Sequence, residues 1–270
     1  VLDGDEKNPR HWRQLLMNES AILPEINPTD PAALFYTSGT TGRPKGVPLT
    51  HANITFSLNG LCQTRVTMPD DRLLLPLPLH HVFPFVCGML LPLALGLAMV
   101  LPYALTGPQI VRALQQGKAT IIIGVPRLYD ALYTAIAARV RAQGKAAHVF
   151  FSSMLKVSMS MRRVFGWRVG QWLFRPMHRH FAPTLRLTVC GGAALNPELA
   201  WKLDGLGWQL MIGYGLTETS PGISTDHPAS LRIGSVGKPF PGVHVRLAPL
   251  AEMSGKEEAY GEVQVRGPNV

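Results

Sequence analysis

The stretch YTSGTTGRPKG, residues 36–46, gathers the residue types that hold a polyphosphate. Gly39 and Gly42 let backbone N–H groups converge on an anion, because no Cβ blocks the approach. Thr37, Ser38, Thr40 and Thr41 add hydroxyls that donate to phosphate oxygens or bind a metal. Lys45 adds a compact point charge suited to phosphate. The loop is not a Walker A sequence, since Gly46 and not Ser or Thr follows the lysine, and it lacks the G-x-G-x-x-G spacing of a dinucleotide site. The competing reading is a polar surface turn.

Three further clusters have chemistry in their residue types. In GYGLTETSP (213–221), Tyr214 can stack on a base, Thr217 can donate to a phosphate oxygen, and Glu218 can hold Mg²⁺, the hard cation that accompanies a triphosphate. A polar helix start in which Thr217 and Glu218 act locally reads the same way. In CGGAAL (190–195), Gly191 and Gly192 permit close backbone approach to a planar ligand; a plain strand-to-helix turn would look the same. In PLPLHHVFPF, His80 and His81 are expected at a strand end, where one of them can meet a carboxylate; a satisfied histidine near the core is the ordinary alternative.

These clusters need elements to position them. A chain of 270 residues with 46% apolar content suffices for one large domain or two small ones. Apolar runs such as TIIIGV, LRLTVC and WQLMIGY alternate with helical stretches, which predicts an α/β fold: largely parallel sheets flanked by helices. Residues 72–105 are apolar enough to suggest a membrane span, but Pro76, Pro78, Pro84, Pro92 and Pro102 break them up. The better parse is a strand at 73–77, a helix at 83–95 and a strand at 98–101. A helix is expected from Pro126 to about Arg141, a long basic helical region over 149–180, and a helix after Asn196. Beyond about residue 230 the pattern changes to short strands with Gly and Pro turns. We expect residues 1–230 to form the α/β part and 231–270 the start of a β-rich subdomain. The opening VLDG and the final EVQVRGPNV, read as a strand, suggest a piece of a larger protein.

Cys62, Cys87 and Cys190 have no metal-ligand spacing and read as structural thiols of a reduced, cytoplasmic protein. The net charge of +9 is uneven. Residues 131–197 contain no Asp or Glu, whereas Arg139, Arg141, Lys145, Lys156, Arg162, Arg163, Arg168, Arg175, Arg179 and Arg186 lie there among Trp167, Trp172, Phe165 and Phe174. A basic, aromatic helical stretch suits an anionic membrane surface; the alternative is a buried helix with a solvated basic face. No nucleic-acid-binding signature is present in the sequence.

The motifs YTSGTTGRPKG, LPLHHVF, GGAAL, GYGLTETSP, GSVGKPFPG and GEVQVRGPNV occur in the order seen in the adenylate-forming, AMP-binding superfamily. From about Asp30 onward the chain resembles its members, and the GVPRLYDALYTAI segment with the long basic region is most similar to long-chain fatty acyl-CoA synthetases. The resemblance implies the large N-terminal domain of such an enzyme. It implies that residues 37–46 bind the ATP β- and γ-phosphates with Lys45 as their charge, and that Thr37 and Glu218 contact Mg²⁺. Tyr214 would pack on adenine beside Gly213 and Gly215, and Gly191, Gly192 and Ala193 would line the adenine and acyl pockets. Thr217 would contact the α-phosphate, His81 would lie near the acyl carboxylate, and Phe85 would gate the acyl tunnel. The implied reaction forms acyl-AMP from a fatty acid and ATP, then a thioester with coenzyme A. Alternatives are loading of an acyl carrier protein, release of acyl-AMP, or a non-catalytic nucleotide- or lipid-binding module. The family's ribose-binding aspartate, hinge and C-terminal domain with its adenylation lysine have no counterpart here, so the isolated chain is expected to be a poor or inactive ligase.

Overall fold

The computed structural model describes residues 25–37, 43–249 and 261–270. Strand β1 (Pro31–Thr37) pairs antiparallel with β2 (Lys45–Thr50), and α1 (His51–Gln63) follows directly. Thr50 ends the strand and starts the helix. Its hydroxyl accepts the Asn53 N–H at 3.2 Å, while the Asn53 side chain accepts the Thr50 N–H at 3.0 Å. This reciprocal cap satisfies two donors that a helix start leaves open.

The centre is a seven-stranded sheet. Its strands are β3 (Arg72–Leu74), β4 (Ala98–Val100), β5 (Ile121–Gly124), β6 (Leu187–Cys190), β7 (Gln209–Tyr214), β8 (Ser224–Thr225) and β9 (Lys238–Pro239), in the order β4-β3-β5-β6-β7-β8-β9. The first five run parallel; β8 and β9 add antiparallel pairs. All four residues of β5 are buried, as expected for a strand covered on both faces. Alternate residues supply two cores. Leu74, Ile122, Leu210 and Ile212 meet α3 (Gly107–Gln116), α4 (Pro126–Ala142), α5 (Lys145–Phe165) and α8 (Pro197–Gly205). Leu73, Ile121, Ile123, Leu187 and Met211 fill the other face with Phe83. Each fully buried isoleucine contributes about 1.5–3 kcal/mol. Strands β10 (His244–Ala248) and β11 (Glu262–Arg266) form their own antiparallel pair.

The proline-rich stretch departs from its expected parse. β3 stops at Leu74, because Pro76 and Pro78 cannot donate to a ladder. The expected single helix starts as a π-helical segment, Pro84–Leu90, in which the Leu91 N–H reaches back to the Val86 carbonyl, and only then becomes α2 (Leu91–Leu95). Gly88 lets this segment lie on the sheet: a Cβ there would stand 2.5 Å from the Ile123 side chain. The basic region is likewise not one helix. α5 ends at Gly166, which adopts the left-handed conformation (φ 74°), and α6 (Gly170–Leu173) and α7 (Arg175–Phe181) follow. No described helix is long and apolar enough to cross a membrane.

Candidate functional site

Thr37 and Lys45 are register partners at the mouth of the β1–β2 hairpin, so the strand geometry sets the span that the connecting loop must bridge. Lys45 is exposed and Thr37 half-buried. Ser38, Gly39, Thr40, Thr41 and Gly42 lie outside the described residues. Strand β2 rests against the single 3₁₀ turn Thr217–Thr219, which brings the Lys45 strand beside Thr217 and Glu218. Glu218 is exposed and makes no ion pair among the described residues, leaving its carboxylate available.

The 213–222 segment is held by its own backbone. Thr219 donates its N–H to the Leu216 carbonyl at 3.1 Å, and its hydroxyl accepts the Leu216 N–H at 2.9 Å. Gly215 is obligatory here, since a Cβ would fall 1.4 Å from the Pro221 carbonyl oxygen. Ser220 is fully buried in the left-handed region (φ 60°), and its hydroxyl has no partner among the described residues. Gly213 and Tyr214 pair with Thr225 and Ser224, and the Tyr214 ring packs on the cluster of Ile223, Phe240 and Val243.

The carboxyl ends of β6 and β7 lie side by side, with Cys190 opposite Ile212. Gly191 follows immediately, its N–H bonded to the Gly124 carbonyl at 3.1 Å. Its missing side chain leaves room for Phe83, whose ring would stand 3.1 Å from a Cβ at that position. Gly192 takes a positive φ (78°), and Gly192 and Ala193 are exposed. Burial pushes the Cys190 and Cys87 thiols up to about 12, so both stay protonated, as expected of structural thiols.

His80 and His81 do not end a strand. They occupy the turn between β3 and the π-helical segment, with their rings 4.2 Å apart and both exposed. The His81 carbonyl accepts the Phe85 N–H at 3.1 Å. Phe85 packs edge-on against Phe35 at 5.4 Å, in the small core beneath the hairpin. Phe83 is the ring that covers Gly191, and sequence reasoning passed over it. Behind it, Leu73, Cys87, Leu91, Ile123, Val189 and Met211 line an apolar slot of about 50 Å³, room for one or two water-sized groups.

Gly191 and the Thr217–Thr219 turn thus follow the carboxyl ends of neighbouring parallel strands, where such folds bind ligands, and the Lys45 strand approaches that turn. The AMP-binding enzyme family model matches residues 2–270. The chain belongs to this family. It is 30% identical over 246 residues to the long-chain-fatty-acid–CoA ligase FadD15 of Mycobacterium bovis, covering 87% of the chain and 40% of that protein. It is 33% identical over 245 residues to the feruloyl-CoA synthase of an Amycolatopsis species, covering 89% of the chain and 42% of that protein. A malonyl-CoA ligase solved as a ternary product complex with methylmalonyl-CoA and AMP superposes with a TM-score of 0.66 at 31% identity, over 93% of the chain and 46% of that structure. The chain therefore spans about two fifths of the length of the curated relatives it matches.

Within this AMP-binding chain, the basic region differs from its expectation in how much of it is free. Arg162 and Arg168 converge on the buried Asp204 at 3.2 and 3.6 Å. Arg186 pairs with Asp71, where its Nε donates at 2.9 Å. Burial pushes the Asp71 carboxyl up, but the Arg186 and Thr120 hydrogen bonds outweigh it and hold the group below its usual range. Arg163 lies over the Trp201 ring at 4.4 Å. The exposed Arg139, Arg141, Lys145, Lys156, Arg175 and Arg179 have no ion-pair partner among the described residues. Beside them stand Phe150, Phe165, Trp167 and Trp172, each 59–76% exposed.

Proposed function

We propose that the protein activates a carboxylic acid, a long-chain fatty acid, with ATP and transfers the acyl group to coenzyme A. The observation that carries this reading is the approach of β2, which begins at Lys45, to the Thr217–Thr219 turn. Residues 38–42 and Lys45 hold the β- and γ-phosphates, Thr217 the α-phosphate, and Tyr214 with Gly191, Gly192, Ala193, Gly213 and Gly215 the adenine and the acyl-group entrance. No three His, Cys, Asp or Glu among the described residues could hold a metal on their own. The oxygen donors Thr37 and Glu218 suit Mg²⁺ that takes its remaining ligands from phosphate and water. Bound there, the ion supplies charge neutralisation on the phosphates.

A carboxylate oxygen attacks the α-phosphorus, the new O–P bond forms, and pyrophosphate leaves with the electrons of the broken P–O bond. The carboxylate is already ionised at neutral pH, so no general base is needed. The protein contributes position and charge stabilisation, a task that suits Lys45 and the glycine-rich composition of the loop on the phosphates and His81 near the acyl carboxylate. The thiol of coenzyme A then displaces AMP and forms the thioester. Similarity to the long-chain-fatty-acid–CoA ligase FadD15 supports a long-chain acid; similarity to the feruloyl-CoA synthase supports an aromatic one. The slot of about 50 Å³ does not hold a long chain unless the Cys87–Leu91 wall moves. A carrier protein is the second acceptor, favoured by the free basic residues of α4, α5 and α7. Those residues, with the exposed aromatics, also fit a cytoplasmic enzyme that sits peripherally on an anionic membrane.

Thioester formation by the natural gene product tests the substrate. Palmitate is expected to give acyl-CoA faster than acetate, malonate or ferulate. Preference for ferulate would refute the fatty-acid assignment while leaving the ligase assignment intact. Thioester formed on a phosphopantetheinyl carrier protein and not on coenzyme A would change the acceptor.

A further inference from the structure

Asn53 lies in none of the motifs and Asn269 near the end of GEVQVRGPNV was given no role, yet their side chains join the two halves of the candidate phosphate site. Asn53 is the third residue of α1. Its Oδ1 accepts the Thr50 N–H at 3.0 Å and the Thr50 hydroxyl at 2.8 Å. Its Nδ2 donates to the carbonyls of Pro268 at 2.9 Å and Val270 at 3.1 Å. One amide thus caps the helix that follows the Lys45 strand and grips the turn after β11.

That turn carries Asn269, which is fully buried. Its Nδ2 donates to the Gly222 carbonyl at 2.8 Å and the Thr219 carbonyl at 3.3 Å. Its Oδ1 is buried without a partner among the described residues. An unpaired buried acceptor costs stability that an apolar side chain would avoid. What Asn269 provides in return is the pair of bonds to the backbone beside Thr217 and Glu218.

We propose that Asn53 and Asn269 form a clasp that fixes the Thr217–Glu218 turn against the strand beginning at Lys45. Both are positioning residues: they set the spacing between the segment that holds the terminal phosphates and the one that holds the α-phosphate and Mg²⁺. The inference rests on the nucleotide reading proposed above. The path runs from β2 through Thr50, Asn53, the 267–270 turn and Asn269 to Thr219.

Asn53→Asp separates the clasp from the helix cap. The aspartate keeps the oxygen that caps Thr50 but loses the donor to Pro268 and Val270. Asn269→Leu removes the second link. Hydrogen exchange and nucleotide binding are measured on the 270-residue chain. Asn53→Asp is expected to leave the α1 amides protected while exchange over 216–222 speeds up about tenfold, although Asn53 makes no hydrogen bond to that segment. Asn269→Leu should do the same, and the double variant should go no further than either single one. Affinity for Mg-ATP should fall about tenfold in each, with AMP affinity changed less than about twofold. Unchanged exchange over 216–222 in Asn53→Asp, or loosening spread over the whole molecule, would overturn the clasp. If the unsubstituted chain binds no ATP, the nucleotide reading fails, and the exchange pattern alone still decides the clasp.

Discussion

Asp226 is 5% exposed, and one of its carboxylate oxygens has no partner among the described residues. Burial pushes its carboxyl up to about 6, above its value in the unfolded chain. Below the unfolded value both states are protonated and the group costs nothing. As pH rises toward about 6 the unfolded chain releases its proton first, so stability falls and stays lower above that pH. Asp226→Asn should therefore raise the melting temperature at pH 7–8 by the equivalent of about 1 kcal/mol, with no gain near pH 4; an equal gain at both would remove the titration as cause. At this scale Thr37, Lys45, Tyr214, Thr217 and Glu218 were singled out by residue type, as candidates for the proposed phosphate, base and metal chemistry. Phe83, Asn53 and Asn269 were not. Asn53 and Pro268 are 215 residues apart in sequence, and only folding brings them within hydrogen-bond reach. RGPNV was read as the tail of a strand, and β11 in fact ends at Arg266, leaving Asn269 in a turn.

Among the elements, the parallel sheet was the most legible feature, since continuous apolar runs such as β5 suit strands buried on both faces. The π-helical segment was not, because side-chain periodicity says nothing about which carbonyl an N–H will reach. Pro92 removes one α-helical donor just where the pattern changes. The break in the basic region had a visible signal in Gly166, whose positive φ ends α5. The split matters for the proposed membrane contact. It leaves Trp167 and Trp172 exposed between α5 and α7, with Phe165 5.3 Å from Trp167. The chain should co-sediment with vesicles containing about one third anionic lipid and release at high salt, where screening removes the basic contribution. Trp167→Ala with Trp172→Ala should weaken that binding several-fold. Equal binding to neutral vesicles, or none to anionic ones, would leave these helices as a solvated face.

For the whole molecule, α/β architecture followed from apolar runs alternating with helical stretches and family membership from the order of six motifs, while the relation between segments did not. β9 returns to the central sheet beside β8, yet β10 and β11 pair with each other, so residues 231–270 serve two sheets. We propose that the β-rich subdomain begins after β9. We propose above all that this fold activates a carboxylate by adenylation. The most direct test is acid-dependent exchange of pyrophosphate into ATP by the natural gene product, over acids from acetate to palmitate, with Glu218→Ala alongside. Exchange that requires an acid, rises with chain length and falls about a hundredfold in Glu218→Ala is the predicted result. A folded protein that exchanges with no acid in the panel, or one indifferent to the loss of Glu218, would contradict it.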